Sequence, residues 1–197
     1  MRSASSRDAR AIAEIYNEAV LHTAATFDTA PRSVAEQRRW LAHHAPRYPV
    51  VVAEANGAVV GWASLSAWSD RCAYEDTAEV SFYVREDWRG RGVGRGLLTK
   101  LVVEAERSGL HTLLARIAIP NPVSAHLHRT LGFRSIGVMH EVGLKFGRRI
   151  DVELFERLPD PRPAPKLRGR LEKDAPARSG ANTGRSSPPQ RRASTAG

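Results

Sequence analysis

An α/β domain is predicted for this 197-residue chain by three observations. Apolar stripes at helical spacing alternate with runs of strand period. Two valine-rich runs flank Asn56-Gly57, the dipeptide favoured in tight turns, so an antiparallel hairpin is expected. An alternating run that ends at Val84 feeds the basic, glycine-rich stretch Trp88 to Gly94, which opens a helical pattern.

The elements follow in order. Residues 1–7 are short and polar, so any first strand is abbreviated. Asp8 precedes Ile12, Ile15, Tyr16, Ala19 and Val20, which form one stripe of a helix. After a loop from Thr23 to Pro31, Ser33 and Glu36 have capping-box spacing, and Trp40 and Leu41 support a second helix ending near Pro46. Val50–Val52 and Val59–Trp62 make the hairpin strands. Thr77 to Val84 alternates, with Val80, Phe82 and Val84 on one face and Glu79, Ser81 and Tyr83 on the other. Val93, Leu97, Leu98, Leu101, Val102 and Ala105 line one side of the next helix, which runs to about Gly109. Leu113 to Ile119 reads as a buried strand. Asn121-Pro122 reads as a helix start, with Asn as cap and Pro at the first helical position, and Gly132 as its stop. Two more strands fit 135–142 and 149–158.

Composition bounds the rest. The formal charge is +9, but residues 159–197 hold nine Lys/Arg against three acids, so the domain before them is much closer to balance. That last segment has seven prolines, no aromatic residue and two large aliphatics, too few to order itself. The expected division is therefore a domain over 1–158 and a disordered, basic, Pro-rich tail over 159–197. The single cysteine, Cys72, excludes an internal disulfide and a cysteine-rich metal site and suits a reducing cytoplasm. No apolar run reaches membrane-span length, so a cytoplasmic protein with no membrane partner is expected.

The glycine stretch carries the first chemistry. A helix start leaves backbone N–H groups unpaired at the positive end of its dipole, and glycines let an anion approach the main chain. Gly90, Gly92 and Gly94 with Arg89, Arg91 and Arg95 therefore resemble a diphosphate seat. A dinucleotide fingerprint is excluded, because Arg95 or Leu97 stands where its last glycine belongs. A nucleotide-triphosphate loop is excluded by the missing Gly-Lys-Ser/Thr ending.

Arg89-x-x-Gly92-x-Gly94 resembles the acyl-coenzyme A loop of the GNAT N-acetyltransferase superfamily. Asn121-x-x-Ser124-x-x-x-His128-x-x-x-Gly132-Phe133 resembles its following helix. Tyr16-Asn17, the run 77–84, Leu127-His128 and the run 142–148 with Asp151 resemble the phosphinothricin and methionine sulfoximine/sulfone N-acetyltransferase branch. That branch commonly has Val where Ala78 stands and Trp where Arg149 stands.

The resemblance implies a GNAT fold with a mixed, mostly antiparallel sheet flanked by helices. It also implies acetyl-CoA as co-substrate, no metal, and a small-molecule amine as acceptor: phosphinothricin, methionine sulfoximine or sulfone, or arsinothricin. A homodimer is the family expectation. By the same resemblance Phe82, Tyr83 and Val84 pair with the pantetheine arm and polarise the thioester. Arg89 to Arg95, Val93 included, hold the diphosphate, and Asn121 and Ser124 complete the cofactor site. Glu79 is the candidate base, because an amine arrives mostly protonated and a carboxylate can take that proton. His128 is the candidate acid for the departing thiolate, since histidine's unperturbed pKa of about 6.5 suits the step. Arg71 and Tyr74, with Phe27 and Ser81, are the candidate acceptor contacts. Arg71 is suited to a carboxylate or phosphinate. A different reading stays open at this point: a catalytically silent acyl-CoA-binding regulatory module whose basic tail contacts nucleic acid.

Overall fold

The computed structural model describes residues 1–44 and 47–159. The expected tail, apart from Pro159, and the nucleic-acid contact assigned to it lie outside the described residues.

The chain opens with a two-residue strand, β1 (Arg2–Ser3), the abbreviated first strand expected of its polar start. Helices α1 (Ala9–His22) and α2 (Val34–His43) follow. The capping box forms as its spacing predicts: the Glu36 N–H donates to Ser33 Oγ at 3.2 Å, and the Ser33 N–H donates to the Glu36 carboxylate at 2.8 Å. The hairpin is β2 (Val50–Ala55) and β3 (Ala58–Ala67), and Asn56 and Gly57 both take positive φ, 51° and 75°, as its tight turn requires. Then come β4 (Thr77–Val84), α3 (Val93–Arg107), β5 (Thr112–Ala118), α4 (Pro122–Thr130), β6 (Arg134–Lys145) and β7 (Arg148–Arg157). β6 runs past the expected 142 to Lys145, and β7 begins at Arg148 and ends at Arg157, each one residue before the expected bound, because the two strands meet in a tight Phe146-Gly147 turn, both at positive φ.

The strands form one sheet in the order β1-β2-β3-β4-β5-β7-β6. All neighbours pair antiparallel except β4 and β5. That parallel pair is short: Thr77–Glu79 pair with Thr112–Leu114, after which β4 continues to Val84 and β5 to Ala118 without pairing to each other. The sheet therefore forks at Glu79, and the fork exposes main-chain groups of both strands to whatever enters it.

Strand alternation divides the core into two. Val51, Ala63, Leu65, Ala78 and Val80 meet Leu97, Leu98 and Leu101 of α3 on one face. Val50, Val52 and Trp62 meet Ile12, Ile15, Tyr16 and Val20 of α1 on the other. Burial of these side chains, at about 25 cal/mol per Å², drives helices and sheet together.

Asp8 ties the start of α1 to β1. It is buried and accepts from Arg2 Nη1 and Nη2, both at 2.8 Å, and from the Ser5 N–H at 2.7 Å. The Arg2 bonds lead in holding its carboxyl down to about 2, against the usual 3.8. A depressed folded pKa contributes stability that is present above the unfolded pKa and lost as pH falls through the folded one. Asp8→Asn is expected to cost about 2 kcal/mol at pH 7, with the gap from wild type closing as pH falls from about 4 towards 2. Urea unfolding of both proteins across that range measures it.

Candidate active site

The glycine loop joins the fork to α3. Gly90 and Gly92 take φ of 75° and 79°, left-handed values that side-chain-bearing residues rarely adopt, and Gly92 is the N-cap of α3. The Gly96 N–H reaches the Gly92 carbonyl at 3.0 Å, so the N–H groups of Val93, Gly94 and Arg95 lie ahead of the first helical bond. Gly94 must be small for a second reason. A Cβ there would lie 3.3 Å from the Phe82 ring and 3.5 Å from Leu127, narrowing the approach to those N–H groups. This cradle fits a diphosphate.

The expected loop residues divide by role. Gly90, Gly92, Gly94 and Arg95 border the cleft. The Val93 side chain instead packs into the core, so only its backbone faces an anion. Arg91 stacks over Trp88 at 5.0 Å. Arg89 donates to the Val84 carbonyl at 3.1 Å and pairs with Glu18 of α1, which makes it the strut of the loop as well as part of the cleft wall.

The cleft, about 1340 Å³, runs from this loop across the fork to the loop Thr23–Asp28. Phe82, Tyr83, Val84, Asn121 and Ser124 line it, together with Glu79, Ser81 and Phe27. Asn121 caps α4 as expected, its Oδ1 accepting from the Ser124 N–H at 3.0 Å. Tyr83 packs edge-on to Tyr16 at 5.1 Å and against Trp62 at 5.0 Å, and burial pushes its hydroxyl well above the usual tyrosine range. Burial also raises Tyr16, to about 12, so Tyr16 remains a donor, reaching Asp28 at 2.7 Å. A buried lysine, Lys145 of β6, donates to the Thr26 carbonyl at 2.6 Å, and the Phe27 ring rests against Gly143, where a Cβ would overlap it. The wall that carries Phe27 is thus clasped to β6.

Glu79 stands at the fork with its side chain 18% exposed. Its carboxylate receives Arg116 of β5 side-on, Nε to Oε1 at 2.7 Å and Nη2 to Oε2 at 2.5 Å. Each oxygen accepts one N–H and keeps a lone pair for an incoming proton.

Three expected site residues are placed differently from this cluster. Arg71 precedes, and Tyr74 ends, an exposed turn at Cys72–Tyr74, and neither borders the cleft as this single chain forms it. His128 does border the cleft, yet its Nδ1 lies 2.8 Å from the Ser124 carbonyl, which can only accept, so Nδ1 carries the proton. Nε2 is buried without a partner, and the ring sits among Phe82, Phe133 and Phe155. Burial holds the pKa below the ordinary histidine value. The ring so held is neutral and packed among aromatic side chains, and substitution distinguishes packing from the general-acid role that the resemblance implies. His128→Phe is expected to change kcat less than about threefold, whereas loss of a general acid costs about a hundredfold or more. Steady-state thiol release distinguishes the two.

Sequence reasoning missed Arg116 and Lys145. The signal for Arg116 was a lone charge amid the apolar run 113–119.

Comparison with known proteins places this geometry. The family model described as acetyltransferase (GNAT) domain matches residues 1–154. The L-amino acid N-acyltransferase MnaT of Escherichia coli K12 is 41% identical over 170 residues, 86% of this chain and 99% of that protein. The phosphinothricin N-acetyltransferase of Streptomyces coelicolor is 38% identical over 154 residues, 76% of this chain and 90% of that protein. The solved structure of yncA from Salmonella typhimurium, with its cofactor acetyl-CoA, superposes with a TM-score of 0.80 at 40% identity, covering 84% of this chain and 96% of that one. The forked sheet and its glycine-capped helix are those of a chain that belongs to the GNAT acetyltransferase family.

Proposed function

We propose that this protein is an N-acetyltransferase that moves an acetyl group from acetyl-CoA to the α-amine of a small amino-acid-like compound, of the methionine sulfoximine/sulfone or phosphinothricin type. The observation that carries the reading is Glu79 at the fork, facing the same cleft as the unpaired N–H groups of Val93 to Arg95. The names of relatives that act on L-methionine sulfoximine and sulfone in Salmonella typhimurium, at 40% identity, support the acceptor class.

Acetyl-CoA supplies an activated acyl group, so no covalent enzyme intermediate is needed. Gly90 to Arg95 and Asn121 hold its diphosphate end by main-chain and side-chain donors. Main-chain groups of Phe82 to Val84 on the unpaired edge of β4 steady the thioester oxygen. Glu79 takes the proton of the acceptor ammonium, directly or through water, which frees the nitrogen to form the new C–N bond; as the C–S bond breaks, coenzyme A leaves as the thiolate, which takes up the second proton that the nitrogen sheds on becoming an amide. Phe27, Ser81 and Tyr83 wall the acceptor.

Residues 1–158 carry this activity, in the cytoplasm where the co-substrate and a reduced Cys72 belong. A second copy of the chain covers the edge strand β6, whose Ile136, Val138, Val142 and Leu144 are exposed, as is Phe146 in the turn that follows. Turnover of phosphinothricin would make the protein a herbicide-resistance determinant. The test is a thiol-release screen of the purified chain with acetyl-CoA against these amino acids and simple amines, repeated on a chain ending at Leu158. Amino-acid-dependent release retained by the shorter chain is expected, and no turnover of any amino acid defeats the reading.

A further inference from the structure

An acceptor carboxylate beside Glu79 calls for a cation within the cleft. The arginines that border the cleft are Arg89, Arg95, Arg116 and Arg148. Arg89 is committed to Val84 and Glu18, and Arg95 stands at the anion seat of α3. Arg116 alone of these bonds to Glu79.

The orientation of Arg116 is informative. A guanidinium has five N–H groups on a rigid plane. Arg116 spends its Nε and one Nη2 N–H on Glu79, and its Nη1 has no hydrogen-bond partner among the described residues. The Nη1/Nη2 edge is therefore open, and the side chain is 52% exposed where Glu79 is 18% exposed. The plane is backed by Trp68, 5.7 Å from ring centroid to guanidinium carbon, which steadies it without using a donor. An α-amino acid carries its anion and its reacting nitrogen on one carbon. A guanidinium that grips Glu79 on one edge and the anion on the other sets the nitrogen beside the base.

We propose that Arg116 is a specificity-determining residue, receiving the acceptor's carboxylate on its open Nη1/Nη2 edge while the other edge holds Glu79, so that amines with an adjacent carboxylate are selected. This rests on the acetyl-transfer reading above. It also explains a charged residue in the middle of an otherwise apolar strand, at the one strand position that reaches across the fork to Glu79.

The test compares methionine sulfone with its α-carboxamide as acceptors, using the full chain with acetyl-CoA, for wild type, Arg116→Ala and Arg116→Lys. Wild type is expected to prefer the acid. In Arg116→Ala the acid's kcat/KM falls about 30-fold, mainly through KM, while the amide's changes less than about threefold. Arg116→Lys keeps the charge without the fork and recovers part of the preference. Because preference is a ratio within each protein, differences in the fraction folded cancel. Equal losses for acid and amide overturn the proposal and leave Arg116 as a residue that only positions Glu79. A wild type that turns over acid and amide equally overturns it while the acetyl-transfer reading stands. A wild type that takes no amino acid sinks both.

Discussion

Glu79→Gln is expected to lower kcat by about 10²- to 10⁴-fold near neutral pH, with acetyl-CoA binding changed only a few-fold. The substitution keeps length and shape, and the amide oxygen can still accept from Arg116 Nε. What it removes is the ability to take a proton. It also turns an NH₂ towards Arg116 Nη2, donor against donor, so some loss of order at the pair accompanies the loss of the base. The pH profile separates these effects. As pH rises through the acceptor's own amine pKa, more of the acceptor arrives unprotonated and needs no base, so the deficit of the variant shrinks. A deficit that stays constant with pH would mean that Glu79 only organises the cleft. Isothermal titration with acetyl-CoA checks that the glycine loop, on the far side of the fork, is untouched.

Phe155→Ala is expected to cost about 3–5 kcal/mol of stability, the largest effect of any single core change proposed for this chain. Phe155 is fully buried on β7, where it packs in the core cluster with Phe133 and Leu113, lies 5.9 Å from His128 and carries Arg129 over its face at 5.1 Å. β7 separates β5 from β6, so the cavity opens at the junction of the strand that bears Arg116 and the strand that clasps the Phe27 loop. Against a total stability of about 5–15 kcal/mol, the loss is a large fraction. Urea unfolding is expected to show a lowered midpoint with the slope unchanged, and melting lowered by roughly 6–20 °C. Saturating acetyl-CoA restores part of this by binding only the folded form. A change below about 1 kcal/mol would mean that His128 and Phe133 close over the gap.

The features legible in the sequence are those whose causes lie within a few residues. Asn56 and Gly57 turn the β2–β3 hairpin because both tolerate positive φ, and nothing distant is needed. Ser33 with Glu36, and Asn121 with Ser124, cap their helices across three residues. The glycine loop follows from a strand ending at Val84 and an apolar stripe starting at Val93. Even the two faces of β4 are a matter of alternation, so Glu79, Ser81 and Tyr83 could be placed together before any partner was known.

The charge contacts that the sequence did not show come from sheet order. Arg116 meets Glu79 across 37 residues, because β5 lies beside β4 in parallel and then parts from it. Lys145 reaches Thr26 across 119 residues, which requires β6 to lie at the sheet edge near α1. His128 falls at the spacing expected of an acid, but its proton is assigned by the Ser124 carbonyl and its pKa by the aromatic rings around it.

By itself, then, the sequence determined the elements and the glycine loop that opens α3, which rest on backbone sterics and local hydrogen bonding. Only the tertiary structure decided which charges meet in the cleft and how deeply the His128 ring is buried. Those depend on sheet order and on burial, and a strand's neighbours across the sheet are chosen by the packing of the whole chain.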